Sequence, residues 1–355
     1  MTTETTPGLT SDLRVVSTEK LPTPDQLASQ IPLTKIARET IISGRSQVQD
    51  ILSGKDSRLL VVVGPCSVHD EKAALDYADR LVRLAEEVKD QICVVMRVYF
   101  EKPRTILGWK GLIYDPNLTG KIAIKEGLER ARKILLAVNE KGLPTGAEFL
   151  DPIVPAYLAD LVTWSSIGAR TTESQTHRQM ASGLSMPVGF KNATSGSIDI
   201  AVNGIRAARA AQAFIGIDTS GQTSVVNTAG NNSAHLVLRG GEDGPNYEAA
   251  QVASAQKILT DAGLQPRLVV DCSHANAGKK HENEHIVFES LISQRLQGNT
   301  DIAGCMLESF ISPGNQALPE NLDDLEYGVS ITDACIGWDE TARLLSRAAK
   351  QLASG

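Results

Sequence analysis

Short β-branched runs alternate with amphipathic helical segments along most of this sequence, and this alternation constrains the fold more than any other feature. Eight runs have the length and composition of strands: Leu59–Val63, Ile92–Val98, Thr145–Phe149, Ile167–Arg170, Pro187–Lys191, His235–Leu238, Leu268–Val270 and Ile302–Leu307. The segments with apolar residues at helical spacing are Glu71–Val88, Lys125–Asn139, Ala201–Ala211, Tyr247–Ala262, His285–Leu296 and Asp339–Leu352. Repeated βα units of this kind predict an α/β protein of the (β/α)₈ TIM-barrel class.

One extended pair does not fit the repeat. The segments Ala213–Ile217 and Ser224–Thr228 fall between a predicted helix and the sixth predicted strand. We interpret them as an inserted β-hairpin before strand 6, spanning about residues 213–229. If Ala213–Ile217 is instead a strand of the main sheet, a doubly wound open sheet is the alternative fold.

The N-terminal segment differs in composition from the repeat. Residues Leu13–Pro32 carry three spaced prolines, which favours an extended arm, and a helical pattern follows from Thr34 to Leu52. We therefore expect residues 1–52 to form an arm and helix with an oligomerisation or regulatory role. Residues 53–355 would form the barrel, which is a usual length for a single domain of this class.

Charge and cysteine usage exclude several classes of protein. The net charge of −7 does not suggest a surface for nucleic acid or anionic membranes. The five cysteines are scattered without CxxC spacing, so they do not indicate a disulfide framework. The N-terminus lacks the pattern of a signal peptide, and no apolar run approaches the length of a membrane span. We expect a cytoplasmic protein with reduced thiols and no nucleic-acid or membrane partner.

Chemically reactive residues stand at the end of every predicted strand. Barrel enzymes carry their chemistry at the carboxyl ends of the strands, which converge on one mouth. The residues at or just after these ends are Cys66, Arg97, Glu148, Arg170, Lys191, Arg239, Cys272 with His274, and Glu308. Any one of them alone would fit a solvent-facing loop residue. Their convergence predicts a functional site at that end of the barrel.

Many of these residues are cationic, and the set extends into the loop after the second strand. Its members are Arg97, Lys102, Arg104, Arg170, Lys191 and Arg239. Arginine binds phosphate and carboxylate oxygens through its planar fork, and lysine supplies a compact charge. So many cations in one mouth predict phosphorylated, acidic substrates. The alternative is a structural network of ion pairs with carboxylates such as Glu101 and Glu148.

A second set has the chemistry of metal ligands. Cys66, His274, Glu308 and Asp333 offer one sulfur, one nitrogen and two oxygen ligands from separate parts of the chain. This mixture suits Mn, Fe, Co, Zn or Cu rather than Ca or Mg. Each residue also has an ordinary alternative: a buried cysteine, a loop histidine, or helix N-caps for the two acids. Asp271 either supports this site or caps the next turn.

Long motifs in this sequence resemble those of one enzyme family in the same order. They are GPCSVHD, MRVYFEKPRT, GWKGLIYDP, GARTTESQTHR, PVGFKN, HLVLRGG, DCSHAN and SITDACIGW. They resemble the type I, metal-dependent 3-deoxy-D-arabino-heptulosonate-7-phosphate (DAHP) synthases, from Leu13 to the C-terminus. The resemblance implies condensation of phosphoenolpyruvate with D-erythrose 4-phosphate and water to give DAHP and phosphate. This is the first step of the shikimate pathway to aromatic amino acids.

The resemblance also implies roles for individual residues. One divalent ion (Mn²⁺, Fe²⁺, Co²⁺ or Zn²⁺) would be held by Cys66, His274, Glu308 and Asp333. The phosphoenolpyruvate site would consist of Arg97, Lys102, Ala169, Arg170, Lys191 and Arg239. Arg104 and Thr105 would take the phosphate of erythrose 4-phosphate, and Glu148 would help to place water. The implied catalytic set is Lys102, Glu148, His274 and Asp333.

Feedback control and assembly are further implications of the resemblance. The hairpin and the arm would shape a pocket for an aromatic amino acid, at positions matching Asp151, Pro155, Ser185, Phe214 and Gly216. Gly216 leaves room for a larger polar ring and so favours tyrosine as the inhibitor, unless it is only a closely packed strand glycine. A homodimer or homotetramer with an exchanged N-terminal arm is expected.

Two other functions compete with this interpretation. A sister enzyme, such as an octulosonate phosphate synthase, would condense phosphoenolpyruvate with a different sugar, but the segment KPRT at 102–105 argues against it. A catalytically inactive barrel would bind only anions or effectors, but all the candidate metal ligands are present. The departures from the family pattern lie at KNATSGS (191–197) and at Asp218 or Thr219, where relatives carry lysine. They bear on regulation more than on activity.

Overall fold

The computed structural model describes residues 10–104 and 108–354. Parallel strands form a closed barrel in the spatial order β1-β10-β9-β8-β5-β4-β3-β2, and β6 and β7 form a separate two-stranded sheet. The strands are β1 (Leu59–Gly64), β2 (Ile92–Arg97), β3 (Thr145–Glu148), β4 (Trp164–Ile167), β5 (Val188–Lys191), β6 (Gln212–Ile217), β7 (Thr223–Thr228), β8 (His235–Leu238), β9 (Leu268–Asp271) and β10 (Ile302–Glu308). The predicted (β/α)₈ barrel is therefore confirmed, and the open-sheet alternative is wrong.

A helix follows each strand of the barrel, and two helices precede the first strand. The helices are α1 (Pro24–Gln30), α2 (Lys35–Ser53), α3 (Glu71–Val88), α4 (Ile124–Glu140), α5 (Pro155–Leu158), α6 (Gln175–Gly183), α7 (Ile198–Arg209), α8 (Ala249–Asp261), α9 (Glu284–Leu296) and α10 (Trp338–Ser354). No helix among the described residues is both long enough and apolar enough to span a membrane.

Two layers of apolar side chains hold the barrel together. Strand residues that point inward, such as Val62, Val95 and Trp164, form one buried cluster. Val48, Ile51 and Leu52 of α2 join this inner cluster, so α2 closes the amino-terminal end of the barrel. The larger cluster lies between the strands and the surrounding helices. With one end closed by α2, the opposite end is left for the functional site.

The predicted arm is not extended throughout. Within it, Pro24–Gln30 forms α1, which begins at a capping box between Thr23 and Gln26 with proline at the first helical position. The threonine oxygen accepts the N–H of Gln26, and the Gln26 side chain accepts the N–H of Thr23. One of the prolines that suggested an extended segment, Pro24, therefore marks a helix start, since proline is well tolerated at the first helical position.

The fourth barrel strand was predicted several residues too late. It runs from Trp164 to Ile167, not from Ile167 to Arg170, because the chain turns immediately after it. The N–H groups of Thr171 and Thr172 both donate to the carbonyl of Gly168 in this turn. The next helix, α6, begins at Gln175 and is capped by Ser174.

The predicted hairpin is confirmed as the antiparallel pair β6–β7, inserted before the sixth barrel strand, β8. Its turn contacts α1, where the N–H of Asp25 donates to the carbonyl of Thr219 at 2.9 Å. Its far end contacts α6, where the hydroxyls of Ser182 and Thr228 are 2.7 Å apart. The hairpin is thus held between the N-terminal segment and the barrel.

Candidate active site

A cavity of about 460 Å³ opens at the carboxyl ends of the barrel strands. The predicted site residues that line it are Arg97, Lys102, Arg104, Glu148, Ala169, Arg170, Lys191, Arg239, His274, Glu308 and Asp333. They come from seven different strands or the loops that follow them, as expected for groups at one barrel mouth. Thr105 lies outside the described residues. Sequence reasoning thus predicted most of the charged groups that the fold brings together.

Three of the predicted metal ligands converge beside this cavity. Ligand atoms of Cys66, Glu308 and Asp333 lie within 4.8 Å of one another. The thiol of Cys66 is buried just beyond β1 and lies 3.3 Å from Oδ2 of Asp333. Lys102 reaches the same point, with Nζ 2.9 Å from the sulfur and 3.6 Å from Oδ2 of Asp333. Sulfur and carboxylate oxygens from separate loops therefore meet at one position.

His274, the fourth predicted ligand, faces the same cluster. Its Nε2 lies 3.9 Å from Oε1 of Glu308, and its Nδ1 lies 3.0 Å from Oδ2 of the buried Asp271. The backbone of His274 is in the left-handed region, with φ of 55°, which is uncommon for a residue with a side chain. A histidine with one ring nitrogen beside a carboxylate and the other toward a ligand cluster has the arrangement usual for metal-binding histidines.

The electrostatics of the metal-ligand cluster follow from its burial. Burial and the neighbouring Glu308 raise the pKa of the Cys66 thiol to about 12. For Asp333, burial acts against ionisation, but the charges of Lys102 and His274 and the hydrogen bonds from Cys66 and Lys102 together outweigh it and lower the pKa to about 2. The cluster without an ion therefore combines a neutral thiol with an ionised carboxylate. Binding of a cation would favour the thiolate, so uptake of a metal should release a proton.

Arg97 is fully buried at the end of β2 and is the most enclosed cation of the site. Its Nη2 donates to Oε1 of Glu308 at 3.0 Å, and its guanidinium lies 4.0 Å from the centre of the Tyr99 ring. Its Nη1 is buried and has no hydrogen-bond partner in the described part of the chain. A buried guanidinium with an unused donor beside a cavity is suited to binding an anion.

A second group of charges connects the carboxyl ends of β3, β5 and β9. Nζ of Lys191 lies 3.3 Å from Oδ2 of Asp271 and 3.6 Å from Oε2 of Glu148. Burial acts to raise the pKa of Glu148, but the surrounding cations, chiefly Lys191, lower it below the usual value. The pKa of Asp271 is likewise held well below its usual value against burial, by His274 and Lys191. Both carboxylates are therefore ionised at neutral pH.

The chain is similar to known proteins of one enzyme family along most of its length. The model of the DAHP synthetase I family matches residues 34–346. The Tyr-sensitive phospho-2-dehydro-3-deoxyheptonate aldolase of Escherichia coli K12 is 50% identical over 335 residues, covering 94% of each chain. The Phe-sensitive enzyme of the same organism is 49% identical, covering 95% of this chain and 96% of its own.

The chain belongs to the DAHP synthetase I family.

The fold comparison agrees with this assignment. The structure of phospho-2-dehydro-3-deoxyheptonate aldolase from Francisella tularensis SCHU S4 superposes with a TM-score of 0.93 at 41% identity. The match covers 96% of this chain and 98% of that one, so the N-terminal segment and the hairpin are not additions to an otherwise shared barrel.

Several residues of this family site were missed by reasoning from the sequence. Tyr99, Thr194, Lys279, Lys280 and Glu284 all line the cavity. Tyr99 could have been found, because it follows Arg97 by two positions and so points to the same side of the chain in extended backbone. Glu284 begins α9, and its Oε2 accepts the N–H of Glu308 at 3.0 Å, a contact that no local pattern reveals.

The positions predicted to bind an effector lie outside the cavity. Phe214 and Gly216 share one half-buried face of β6, whereas Ala213 and Ile215 on the other face are exposed. Asp151 follows β3, its N–H donates to Glu101 at 3.0 Å, and Pro155 begins α5. Ser185 is exposed between α6 and β5. Their role as an effector site stays a prediction.

Proposed function

We propose that this chain catalyses the DAHP synthase reaction at the cavity described above. The methylene carbon (C3) of phosphoenolpyruvate bonds to the aldehyde carbon of erythrose 4-phosphate, water adds to the carbon that carries the phosphate (C2), and inorganic phosphate leaves from C2 to give the keto product. The observation that carries the proposal is the close approach of Lys102 to Cys66 and Asp333. It joins the cation-rich part of the cavity to the metal-ligand cluster, as a reaction between a phosphorylated enol and a polarised aldehyde requires.

The cations provide the binding site for phosphoenolpyruvate. Among the lining residues, eight are lysine or arginine and five are aspartate or glutamate, so an anion is needed to balance the charge. Phosphoenolpyruvate carries both a phosphate and a carboxylate. The buried Arg97 and Lys191 would bind it at the inner end of the cavity. Arg170 and Arg239 would bind it at the rim, with the Ala169 N–H as a further donor. Arg104 lies farther out, where the phosphate of the sugar would bind.

The metal cluster would hold one divalent ion. The donors of Cys66, His274, Glu308 and Asp333 fit Mn²⁺, Fe²⁺, Co²⁺ or Zn²⁺ better than Mg²⁺ or Ca²⁺, because a thiol and an imidazole are soft donors. When bound, such an ion supplies Lewis acidity at the aldehyde oxygen, which makes the aldehyde carbon more electrophilic.

Glu148 and Lys102 are the proposed proton-handling residues of the protein. Glu148 is ionised and lines the cavity, so it can accept a proton from the attacking water but is not an acid at neutral pH. Lys102 lies against Cys66 and Asp333 and would direct its ammonium protons to the sugar oxygen or the departing phosphate. His274 and Asp333 would contribute to the reaction as ligands of the ion.

One assay tests the reaction and its metal dependence. We expect product from phosphoenolpyruvate and erythrose 4-phosphate, loss of turnover on treatment with EDTA, and recovery on addition of Mn²⁺. Arabinose 5-phosphate in place of the four-carbon sugar tests the sister reaction and should give little product. Absence of product with erythrose 4-phosphate and Mn²⁺ would refute the proposed activity, and full turnover after removal of all metal would refute the metal role.

Feedback inhibition by an aromatic amino acid is the second part of the proposal. Curated relatives at about 50% identity are named Tyr-, Phe- and Trp-sensitive, so the inhibitor must follow from local differences. We propose tyrosine, because residue 216 is a glycine and adds no side chain to the half-buried face of β6 that it shares with Phe214. A homodimer or homotetramer that exchanges the N-terminal arm, located in the cytoplasm, completes the proposal.

Substitution of Gly216 tests the inhibitor. A Cβ at this position would lie 2.9 Å from Cγ2 of Val226 and 3.5 Å from Cε2 of Phe214, so Gly216→Ser narrows that face. We expect the tyrosine concentration for half-inhibition to rise about tenfold, which corresponds to a modest packing penalty. Ala213→Ser on the exposed face is the matched control and should leave inhibition unchanged. Equal sensitivity of both variants, or insensitivity of the wild type to tyrosine, would contradict the prediction.

A further inference from the structure

Ser166, near the end of β4, lies within hydrogen-bonding distance of two residues that line the cavity, Tyr99 and Glu148. Its Oγ donates to Oε2 of Glu148 at 3.3 Å and lies 2.9 Å from the hydroxyl of Tyr99. The parallel register of β3 and β4 places Glu148 beside Ser166. An ionised carboxylate only accepts, and serine has a single O–H to donate. The direction is therefore set: Tyr99 donates to Ser166, and Ser166 donates to Glu148.

The other side of Tyr99 is also occupied. The guanidinium of Arg97 lies 4.0 Å from the centre of its ring, and both residues are buried. A cation over an aromatic face is attractive and restricts rotation of the ring. Tyr99 is thus held by Arg97 at its ring and directs its hydroxyl proton toward Ser166.

The carboxylate of Glu148 is enclosed at both of its oxygens. Oε2 has Ser166 at 3.3 Å and Lys191 at 3.6 Å. Oε1 lies against Gly168, where an added Cβ would be only 2.7 Å away. A side-chain carboxylate with a donor at one oxygen and a close wall at the other has little freedom to rotate.

We propose that Tyr99 and Ser166 are positioning residues that fix the orientation of the Glu148 carboxylate through this directed pair of hydrogen bonds. The inference rests on the proposed role of Glu148 as the acceptor of the water proton. Neither residue needs to touch the substrate. Their effect is to keep one oxygen of Glu148 occupied, so that the remaining lone pairs face the cavity.

The pH dependence of turnover reports this contact. The charged or titratable groups that face Glu148 are Arg97, Tyr99, Glu101, Lys102, Lys191 and His274. Burial raises the pKa of Glu101 to about 8, so Glu101 also titrates within the pH range over which turnover would be measured. A substitution of the uncharged Ser166 leaves all of these charges in place. A shift in the acid limb of the curve of turnover against pH therefore reports the lost hydrogen bond, provided that the shift is measured against a matched control.

The decisive comparison is Ser166→Ala against Ser165→Ala. Both serines are buried in β4, but the Ser165 side chain faces the helices, and its Oγ has no hydrogen-bond partner among the described residues. Ser166→Ala removes a donor to the charged form of Glu148, which raises the pKa of that carboxyl. Activity that is lost as pH falls should then be lost earlier, and the acid limb of kcat should move upward by about one pH unit.

Two further variants separate this inference from the role of Glu148 itself. Tyr99→Phe keeps the ring over Arg97 and removes only its hydroxyl, so it should shift the acid limb in the same direction by less. Combined with Ser166→Ala it should add almost nothing, because both changes interrupt one relay. Glu148→Gln tests the proposed proton acceptor and should reduce kcat by about a hundredfold or more.

The outcomes are distinguishable. If Glu148→Gln retains full turnover, the proposed role of Glu148 fails. If Glu148→Gln loses turnover but Ser166→Ala and Ser165→Ala have the same pH profile, Glu148 keeps its role and the relay is refuted. Additive shifts from Tyr99→Phe and Ser166→Ala would also refute it, since independent effects are not those of a single chain of hydrogen bonds.

Discussion

Replacing Cys66 with alanine is expected to abolish metal binding and turnover while the barrel stays folded. The sulfur is the soft donor of the cluster with Glu308 and Asp333, whose ligand atoms lie within 4.8 Å. Loss of an outer-shell partner alone costs about 10–100-fold in metal affinity, so loss of a direct ligand should cost more. The removed thiol is small and buried, and the change should cost only about 1 kcal/mol of stability.

Metal content measured by emission spectroscopy after dialysis checks this result, together with thermal unfolding of the metal-free proteins. Cys93→Ala is the matched control, because Cys93 is also buried but lies in β2, beside Arg58 and Asp56 at the other end of the barrel. One equivalent of bound metal and normal turnover in Cys66→Ala would overturn the assignment of the ligand. If Cys66→Ala alone fails to fold, Cys66→Ser, with a hard oxygen donor, provides the same test.

Replacing Asp271 with asparagine is expected to weaken metal binding and phosphoenolpyruvate binding together. The fully buried carboxylate lies 3.0 Å from Nδ1 of His274 and 3.3 Å from Nζ of Lys191, so it supports one residue of each group. Without its charge, His274 is a poorer ligand, and Glu148 is the ion-pair partner that Lys191 keeps within the described part of the chain. Metal affinity should fall by about 10–100-fold. The KM for phosphoenolpyruvate should rise at saturating metal.

The control for this variant is Asp301→Asn. Asp301 pairs with Arg267 at 3.2 Å before β10, at the opposite end of the barrel, and is partly exposed. It should leave metal affinity and KM unchanged, because such pairs contribute little. Calorimetric titration with Mn²⁺ and steady-state kinetics provide the two measurements. Values for Asp271→Asn within twofold of wild type in both would show that Asp271 has no supporting role.

The prediction of the fold succeeded where the local pattern was strong and failed where turns decided the boundaries. The helix Glu71–Val88 was predicted with the observed bounds, since its apolar spacing is regular and Asp70 caps it. The strand Trp164–Ile167 was displaced in the prediction because the apolar run continues into a turn at Gly168. The helices α1 and α5 were missed because they are only seven and four residues long, which is too short for apolar periodicity to reveal.

The sequence by itself determined which kinds of residue reach the barrel mouth. A residue that follows a parallel strand must arrive at the same rim, so Cys66, Arg97, Glu148, Lys191 and Glu308 could be assigned there without coordinates. The family motifs then supplied their expected roles. Because these inferences depend only on the order of elements and on residue chemistry, errors of a few residues in strand bounds did not affect them.

Only the tertiary structure decided which of these groups are partners. Asp271 lies between Lys191 and His274, and Lys102 lies over Cys66, because the strand register and side-chain directions bring together residues far apart in the chain. The sequence also cannot show which of two adjacent serines in β4 contacts Glu148. The register sets Ser166, not Ser165, beside Glu148, and the alternation of side chains along β4 turns only one of them toward the site.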